Sequence, residues 1–459
     1  MVTSAGVSVF IRTESWSDVY IAVDDTDSRT GNCTSYLLTE IMRELSDADI
    51  IGNPRLVRLN PAVPWKTRGN GALTLRIGKG IGARKRIGAI GGKDVLCFTE
   101  SLKWEPDENE LIEKIRPLIE RNMSDGSNPG LIVSKTKPSV SLYQSGVRGI
   151  IEKEYVMSEL NRIGAVTYEI GNGRGIIGAA CGMAWEPGDS TYEVLAYREN
   201  GRLGTKREAD PVSVREMDLA FPGTFNSWEE RERKVTMIPS TPCPVLFGLR
   251  GDDENETIEA SMHLRTEPAE RWISFLTNQG TDDHMIRNTD ELIGNRSYEI
   301  EGTVRSYARR IRGGHTFTDI ETVYGTITCA AYEPSKEFRM LFDNLIPGDR
   351  IRVLGELRED PKTLNIEKVN VLSLAEKFIK ISNPVCGSCG RRMHSIGKAQ
   401  GYRCTECRTR SSEPVMKKET RWIVPGWYEP PASSRRHISK PLKRMNTEQP
   451  IEFVNSRMP

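Results

Sequence analysis

Four cysteines late in the sequence place the strongest local constraint on its fold. They form two Cys-x2-Cys pairs, Cys386 with Cys389 and Cys404 with Cys407, separated by fourteen residues. Two such hairpins can meet around one tetrahedral Zn²⁺, which takes thiolate ligands at about 2.3 Å. A ribbon this short cannot bury a core of its own, so the metal would hold it folded. With four cysteines to fill its coordination, the pattern predicts a structural zinc site.

The composition favours a reduced, water-soluble chain of several domains. The 459 residues exceed one ordinary core and predict three or four domains. The other five cysteines show no framework spacing, which indicates free thiols. No segment approaches the roughly 20 apolar residues that span a bilayer, and the first residues do not resemble a secretory signal. We therefore expect a cytoplasmic protein without membrane association.

The charge of the chain is unevenly distributed. Between Cys386 and Arg444 there are fourteen lysines and arginines but only four glutamates, whereas the whole sequence carries a net charge of only +1. A local excess of this kind predicts a contact with nucleic acid. The alternative is a solvated tail, and the Pro-, Ser- and Arg-rich stretch from Pro425 onward is expected to be flexible.

An acidic loop follows the first apolar stretch. Residues 19–23 read as a buried strand, and a helix is predicted to begin between Asn32 and Ser35. Between them lie Asp24, Asp25 and Asp27, whose mutual repulsion a hard cation such as Mg²⁺ would relieve while bringing nucleotide phosphates with it. The amino end of the helix would favour a phosphate. A plain solvated acidic turn remains the alternative.

A second loop, residues 60–72, carries cations between prolines and glycines. Lys66 and Arg68, with Gly69 and Asn70, are candidate contacts for nucleotide phosphates. No P-loop motif occurs in the sequence, because Gly92-Lys93 is followed by aspartate. The glycines of Gly171-x-Gly-x-Gly175 are interpreted as a flexible turn.

Later segments are rich in short strands. An alternating strand is predicted at Thr191 to Arg198, within a compact α+β domain. Five further strands in about 80 residues predict a small oligonucleotide-binding (OB) barrel. These are Tyr298 to Val304, Thr316 to Ile320, Thr322 to Ala330, Arg350 to Leu357 and Leu364 to Leu372.

Several stretches together resemble one family, the archaeal 2-agmatinylcytidine synthetases that modify the minor isoleucine tRNA. Besides the four cysteines, they are the segments 21–28, 31–34, 63–70, 173–179, 191–198, 244–250 and 277–284. The resemblance runs nearly end to end and in order. It does not extend to the residues before Val19 or after Tyr428.

The resemblance implies a multidomain α+β fold. Its parts are an α/β kinase-like ATP domain, a ferredoxin-like domain that binds agmatine, an OB-fold β-barrel, and a C-terminal zinc ribbon that grips tRNA. We place the four domains at residues 1–164, 165–265, 266–382 and 383–459, the last including the basic tail.

The resemblance also implies a reaction. ATP would phosphorylate the 2-keto oxygen of the wobble cytidine in the CAU anticodon, and the amine of agmatine would then displace phosphate, changing decoding from AUG to AUA. Asp24, Asp25 and Asp27 would hold Mg²⁺ and position the phosphates. Thr34 aligns with a threonine that is autophosphorylated in the family, although from the sequence alone a helix N-cap is an equal possibility.

Agmatine is a dication, and its pocket requires an acid together with apolar or aromatic walls. Glu193 and Tyr197 share one face of the strand at 191–198, and Asp189 is a reserve acid. A solvent-facing strand carboxylate is the alternative for Glu193. The expected tRNA phosphate contacts are Arg391, Arg392, Lys398, Arg403, Arg408 and Arg410.

Two other functions remain open at this point. The barrel and ribbon could form a non-catalytic single-stranded nucleic-acid-binding protein in which the acidic turn has no role. Alternatively, the acidic loop could serve a metal-dependent RNA phosphoesterase.

Overall fold

The computed structural model describes residues 18–29, 31–67, 69–102, 104–448 and 450. These divide into two compact units. The first comprises residues 18–286, Asn295–Ser297 and Ala432–Met445, and the second Arg287–Gly294, Tyr298–Pro431 and residues that follow Met445. Within the described ranges, no helix has the length and apolar character needed to cross a membrane.

The described part of the first unit contains fourteen strands and seven α-helices. Its strands are β1 (Val19–Asp24), β2 (Asp49–Ile51), β3 (Arg55–Arg58), β4 (Gly71–Ile90), β5 (Lys93–Leu102), β6 (Gly130–Ser134), β7 (Val166–Glu169), β8 (Thr191–Arg198), β9 (Thr224–Phe225), β10 (Trp228–Glu229), β11 (Lys234–Val235), β12 (Val245–Gly251), β13 (Ala269–Thr277) and β14 (Met285–Ile286). Its helices are α1 (Thr34–Glu44), α2 (Glu108–Asn122), α3 (Val140–Arg148), α4 (Lys153–Arg162), α5 (Gly175–Ala184), α6 (Pro211–Ala220) and α7 (Glu254–Met262).

Strand β1 lies inside a large mixed sheet and is buried on both faces, as its apolar sequence predicts. It pairs antiparallel with β4 and with β6, so that Val23 lies opposite Leu73 on one side and Leu131 on the other. Its side chains alternate between two cores. Ile21 and Val23 pack with the apolar residues of α1 and α2, whereas Ala22 packs with those of α3 and α5.

One sheet runs through both halves of the first unit. Its main path is β7-β6-β1-β4-β3-β13-β8-β12-β9. Strand β13 connects the halves, because it pairs parallel with β3 and antiparallel with β4 and β8. The second half carries β8, β12 and β13 with α6 and α7, which is the ferredoxin-like part of the chain. The predicted strand at 191–198 is confirmed with the same bounds.

The second unit contains a closed five-stranded barrel. Its elements are β15 (Arg296–Val304), β16 (Arg309–Arg310), β17 (Thr316–Thr322), β18 (Gly325–Ala331), α8 (Phe338–Asp343), β19 (Arg350–Leu357) and β20 (Leu364–Ser373). The strands pair in the order β15-β19-β20-β18-β17, and a β15–β17 pairing closes the barrel. The β18–β20 pairing is parallel, whereas β15–β17, β17–β18 and β19–β20 are antiparallel. The predicted OB-fold is confirmed, with strand ends that differ by a few residues.

The zinc ribbon follows the barrel in the same unit. Its strands are β21 (Phe378–Ser382), β22 (His394–Ser395), β23 (Tyr402–Arg403), β24 (Arg410–Ser411) and β25 (Val415–Lys418). Strands β22 to β24 form a small sheet, and β21 pairs with β25. Next to the barrel, Arg421 and Asp349 form an ion pair with Nη1 and Oδ1 2.5 Å apart, and both side chains are largely buried.

The expectation of a flexible tail from Pro425 onward is wrong for residues 426–448. A last strand, β26 (Gly426–Tyr428), pairs antiparallel with β20 at the edge of the barrel. The residues Ala432–Met445, here called the return segment, then pack into the first unit. The prediction was wrong because a composition rich in proline and arginine is typical of a flexible linker. In this protein the same residues bind specific acidic side chains and backbone groups.

The return segment is anchored by apolar and polar contacts. Ile438 is buried in the core that contains Ala22 and the apolar face of α5. Its carbonyl accepts hydrogen bonds from the backbone amides of Thr281 and Asp282 at 3.1 and 3.0 Å. Arg444 forms ion pairs with Asp189, at 2.7 Å, and with Asp252.

We predict that Ile438→Ala destabilises the first unit by about 2 to 4 kcal/mol, because it removes buried methylenes and leaves a cavity. The measurement is urea unfolding of the full chain, with Leu219→Ala as a control, since Leu219 is 72% exposed. An unchanged unfolding midpoint for Ile438→Ala would show that the return segment contributes no packing energy.

Candidate active site

One cavity of about 820 Å³ in the first unit collects most of the residues predicted to handle ATP. This volume lies within the usual range for small-ligand sites. The predicted residues that line it are Asp24, Asp25, Asp27, Thr34, Lys66, Gly69, Asn70 and Glu193. They come from four separate parts of the sequence, so the fold brings them together.

The acidic loop begins where β1 ends, and its charges are held in a confined space. Burial raises the pKa of Asp24 to about 8, with a further contribution from the negative charge of Asp25. Burial also raises the pKa of Asp25, although a hydrogen bond from the Asn128 backbone opposes the shift. Asp25 has φ of 55°, and its amide donates to Asp24 Oδ1 at 2.7 Å. The loop is a constrained structure and not a plain solvated turn.

Two glycines of α5 allow the helix to approach the acidic loop closely. A Cβ at Gly178 would overlap the Asp24 carboxylate, and one at Gly175 would lie 2.6 Å from the Asp24 carbonyl oxygen. Gly175 begins the helix, whereas Gly171 and Gly173 have positive φ in the turn before it. The glycine-rich stretch was expected to be a flexible turn; its last glycine instead starts a buried helix.

Thr34 is the first residue of α1, as the helix-start signal predicts. The N-cap position belongs to Cys33, whose side chain makes no capping hydrogen bond. The Thr34 hydroxyl instead accepts a hydrogen bond from the Thr26 hydroxyl at 3.0 Å, and Thr34 is buried against the cavity. The alternative that Thr34 is a helix N-cap is therefore wrong.

The second loop also lines the cavity. The Thr67 hydroxyl donates to Asp27 Oδ1 at 2.9 Å, which connects it to the acidic loop. Trp65 is half exposed, and the Arg174 guanidinium lies 4.2 Å from the centre of its ring. Asn70 has φ of 46° and donates through Nδ2 to the Asn60 carbonyl. Arg68 lies outside the described residues, so its predicted phosphate contact stays a prediction.

Glu193 points into the cavity but is only 1% exposed. The alternative of a solvent-facing strand carboxylate is thus excluded. Arg250 Nε lies 3.0 Å from Glu193 Oε1, and Gln279 Nε2 donates to Oε2 at 2.6 Å. The carboxyl group expected at this position is present, and it already has two partners.

The structure does not bring Tyr197 or Asp189 to the cavity lining. Tyr197 is fully buried in the core, where its ring packs edge-on to Tyr36 at 5.6 Å. Asp189 pairs with Lys440 at 2.8 Å as well as with Arg444. Strand alternation placed Tyr197 on the same face as Glu193, but the cavity ends before it reaches that ring.

Sequence reasoning did not identify several residues that line the cavity. Arg58 on β3, Arg250 on β12 and His437 on the return segment all face it. Arg250 lies within a stretch that carries the family resemblance, so the resemblance could have identified it. The sequence offered no such signal for Arg58 and His437, because nothing near them in the sequence distinguishes them from surface residues.

The four cysteines of the ribbon are assembled as predicted. Their sulfur atoms all lie within 4.8 Å of one another, and among the described residues they form the only such cluster of three or more potential ligands. Both pairs form tight knuckles, since the amides of Gly390 and Arg408 donate to the carbonyls of Cys386 and Cys404. The set fits Zn²⁺.

The six basic residues predicted to contact tRNA are all exposed on this ribbon. Arg391 pairs with Glu406 at 2.6 Å, and Arg392 reaches toward the Asn383 carbonyl at 3.5 Å. Their contacts with RNA stay predictions.

The domain models define the class to which this fold and site belong: a multidomain protein that combines catalytic domains with nucleic-acid-binding modules. Residues 20–172 match the TiaS TCKD domain, 173–284 the TiaS FLD domain, 298–372 an OB-fold nucleic acid binding domain, and 383–423 the TiaS C-terminal zinc ribbon domain. All four modules occur in the order in which they are predicted.

Whole-chain comparisons agree with these models. The isoleucine-tRNA 2-agmatinylcytidine synthetase TiaS of Archaeoglobus fulgidus is 38% identical over 443 residues, covering 94% of this chain and 98% of the relative. A crystal structure of TiaS in complex with its isoleucine tRNA and ATP matches with a TM-score of 0.82 and 35% identity, covering 94% and 99%. A complex of TiaS with the same tRNA, AMPCPP and agmatine matches with a TM-score of 0.79 and 32% identity, covering 94% and 98%. The chain belongs to the TiaS family of isoleucine-tRNA 2-agmatinylcytidine synthetases.

We predict that Gly178→Ala reduces nucleotide turnover by at least tenfold while the chain stays folded. Alanine favours a helix interior over glycine by about 1 kcal/mol, but its methyl group would displace the Asp24 carboxylate. Turnover and the thermal midpoint are measured together. Gly188→Ala is the control, because its Cβ would meet no atom within 4 Å. Wild-type turnover in Gly178→Ala would show that the position of Asp24 does not matter.

Proposed function

We propose that this protein is an ATP-dependent ligase that joins agmatine to the wobble cytidine of the minor isoleucine tRNA. The observation that carries the proposal is the single cavity in which the acidic loop, the start of α1, Lys66 and Glu193 meet. The relatives that are complexed with isoleucine tRNA, nucleotide and agmatine support the assignment of these substrates. A cytoplasmic location is proposed on the same basis.

The reaction requires activation of a poor leaving group. The 2-keto oxygen of cytidine leaves readily only after it receives a phosphoryl group from ATP. The agmatine amine then forms a bond to the C2 carbon, loses a proton, and expels phosphate with the original oxygen. Because phosphoryl transfer depends on positioning and electrostatic stabilisation, the enzyme must hold its substrates in line and balance their charge. As the family resemblance implies, ATP is expected to yield AMP and two phosphates: one is the phosphate expelled from C2, and the other is released when water cleaves the bond between the α- and β-phosphates.

The acidic loop is proposed to hold Mg²⁺. Burial is the main cause of the raised pKa values of Asp24 and Asp25, and a divalent cation bound there would stabilise their ionised forms. The three carboxylates do not form a preassembled three-ligand cluster in the described chain. Mg²⁺ usually takes one or two carboxylates and completes its shell with water and phosphate oxygens, so the loop fits. Bound there, the ion would neutralise phosphate charge.

Thr34 is proposed to lie beside the terminal phosphate, with its buried hydroxyl oriented by Thr26. Lys66 is proposed as a phosphate contact from the second loop, with Arg68, Gly69 and Asn70 in the same loop. Whether Thr34 carries phosphate during the cycle can be tested by mass spectrometry after incubation with ATP.

Glu193 is the proposed acid for agmatine. A carboxylate has about four acceptor sites, so the contacts from Arg250 and Gln279 leave room for the guanidinium of agmatine. Tyr197 is proposed to support this strand through packing, because its hydroxyl does not line the cavity. Asp189 is a weaker candidate for the acid that binds agmatine, because Lys440 and Arg444 already neutralise its charge.

The proposed reaction predicts which components ATP cleavage requires. Labelled ATP incubated with protein, Mg²⁺, agmatine and total tRNA should yield AMP only when agmatine and tRNA are both present. Intact ATP in the complete mixture would instead indicate a nucleic-acid-binding protein. RNA cleavage without ATP would indicate a phosphoesterase.

We predict that Asp25→Asn abolishes nucleotide turnover and leaves tRNA retention on a filter nearly unchanged, since it removes one charge from the acidic loop. Asp125→Asn is the matched control, because Asp125 is exposed and does not line the cavity. Loss of both activities in Asp25→Asn would mean that the loop is structural.

We predict that Cys404→Ser weakens tRNA binding by at least tenfold before it affects ATP binding, because the ribbon loses one zinc ligand. Bound zinc is measured by mass spectrometry, and Ser388→Ala serves as a non-ligand control in the same ribbon. Wild-type tRNA affinity in a variant that has lost its zinc would show that the ribbon does not contribute to RNA recognition.

A further inference from the structure

The wall formed by β3, β12 and the return segment carries an excess of positive charge. Arg58 Nε and Arg250 Nε both approach Gln279 Oε1, at 3.3 and 3.0 Å. Glu193 pairs directly with Arg250, and the charges of Glu193 and Asp27 both act on Arg58. The two guanidinium groups therefore lie beside one directly paired carboxylate inside a cavity, where charges interact more strongly than in water.

The terminal nitrogens of these arginines are available for a ligand. Each guanidinium hydrogen-bonds through Nε, and in the described chain neither has a hydrogen-bonded partner at Nη. Both residues line the cavity. Guanidinium groups held in this way are suited to planar, two-point recognition of phosphate.

His437 completes the same corner from the return segment. If Gly69 carried a Cβ, that atom would lie 2.6 Å from Arg58 Nη1 and 3.3 Å from His437 Cδ2, so the two side chains meet beside the Lys66 loop. The imidazole is exposed to the cavity. Desolvation, together with the positive charges of Arg250 and Arg58, holds the pKa of His437 well below its usual value, so that the imidazole is neutral and can donate one N–H.

The backbone fixes His437 in this position. Its carbonyl accepts a hydrogen bond from the Gly280 amide at 2.9 Å, and the next residue, Ile438, is buried in the core. Gly280 directly follows Gln279, which contacts both arginines. The return segment and the two arginines are therefore connected through the neighbouring residues Gln279 and Gly280.

We propose that Arg58, Arg250 and His437 form a phosphate-binding subsite, and that the return segment is part of the catalytic cavity. Glu193 and Gln279 act as positioning residues that hold the arginines. The subsite deepens the proposed function and rests on it for the identity of the ligand. The phosphate belongs either to ATP or to the RNA backbone beside the target nucleotide, and the two sources share the same chemistry.

The test measures binding of three probes to the full-length protein by calorimetry: sodium tripolyphosphate, ATP, and an anticodon stem-loop RNA. The variants are Arg58→Gln and His437→Ala, with Arg250→Lys added because it keeps the charge beside Glu193. Arg215→Gln is the control, an exposed arginine of the same unit whose partner is Glu230. Thermal midpoints verify that each variant is folded.

We expect tripolyphosphate binding to weaken at least tenfold in Arg58→Gln and severalfold in His437→Ala, with Arg215→Gln unchanged. An equal loss for ATP with unchanged RNA binding assigns the subsite to the nucleotide, and the reverse assigns it to the RNA backbone. Wild-type affinities for all three probes in folded variants would overturn the proposal. Because tripolyphosphate binding needs neither agmatine nor turnover, a failure of the ligase assay would not by itself remove the subsite.

Discussion

The close approach of α5 to the end of β1 is the contact on which the rest of the site depends. Gly175 and Gly178 let the helix lie directly against Asp24, so that no side chain separates the helix from the acidic loop. Water is excluded from one side of the loop, and the carboxylates repel one another at short range. The raised pKa of Asp24 is a result of this arrangement.

The continuous sheet explains how the second half of the unit reaches the same cavity. Strand β13 joins β3 to β8, which places Arg58 and Glu193 on neighbouring parts of one surface. The cavity therefore has an acidic wall and a wall rich in arginine. Such a division suits a reaction that must bind a nucleotide, a tRNA base and a dicationic amine in one place.

Local patterns predicted the local structure well. Strand β1, the start of α1, strand β8, the barrel and the four cysteines all follow from hydrophobic periodicity or fixed spacing, and the structure has each of them. The acidic loop could be recognised for the same reason, because its three carboxylates are close together in sequence. In contrast, the Arg250–Glu193 pair joins residues 57 positions apart. No periodic rule predicts such a contact, and the same is true of the position of Tyr197 in the core and of Arg58 beside Gly69.

The return segment has a consequence for the order of events during synthesis. The ribosome makes residues 432–445 only after the barrel and the ribbon, yet these residues complete a core and a cavity whose other walls were synthesised much earlier. The nascent first unit must therefore wait with one wall of its cavity missing. Catalytic competence is acquired late, at a stage when the nucleic-acid-binding modules already exist.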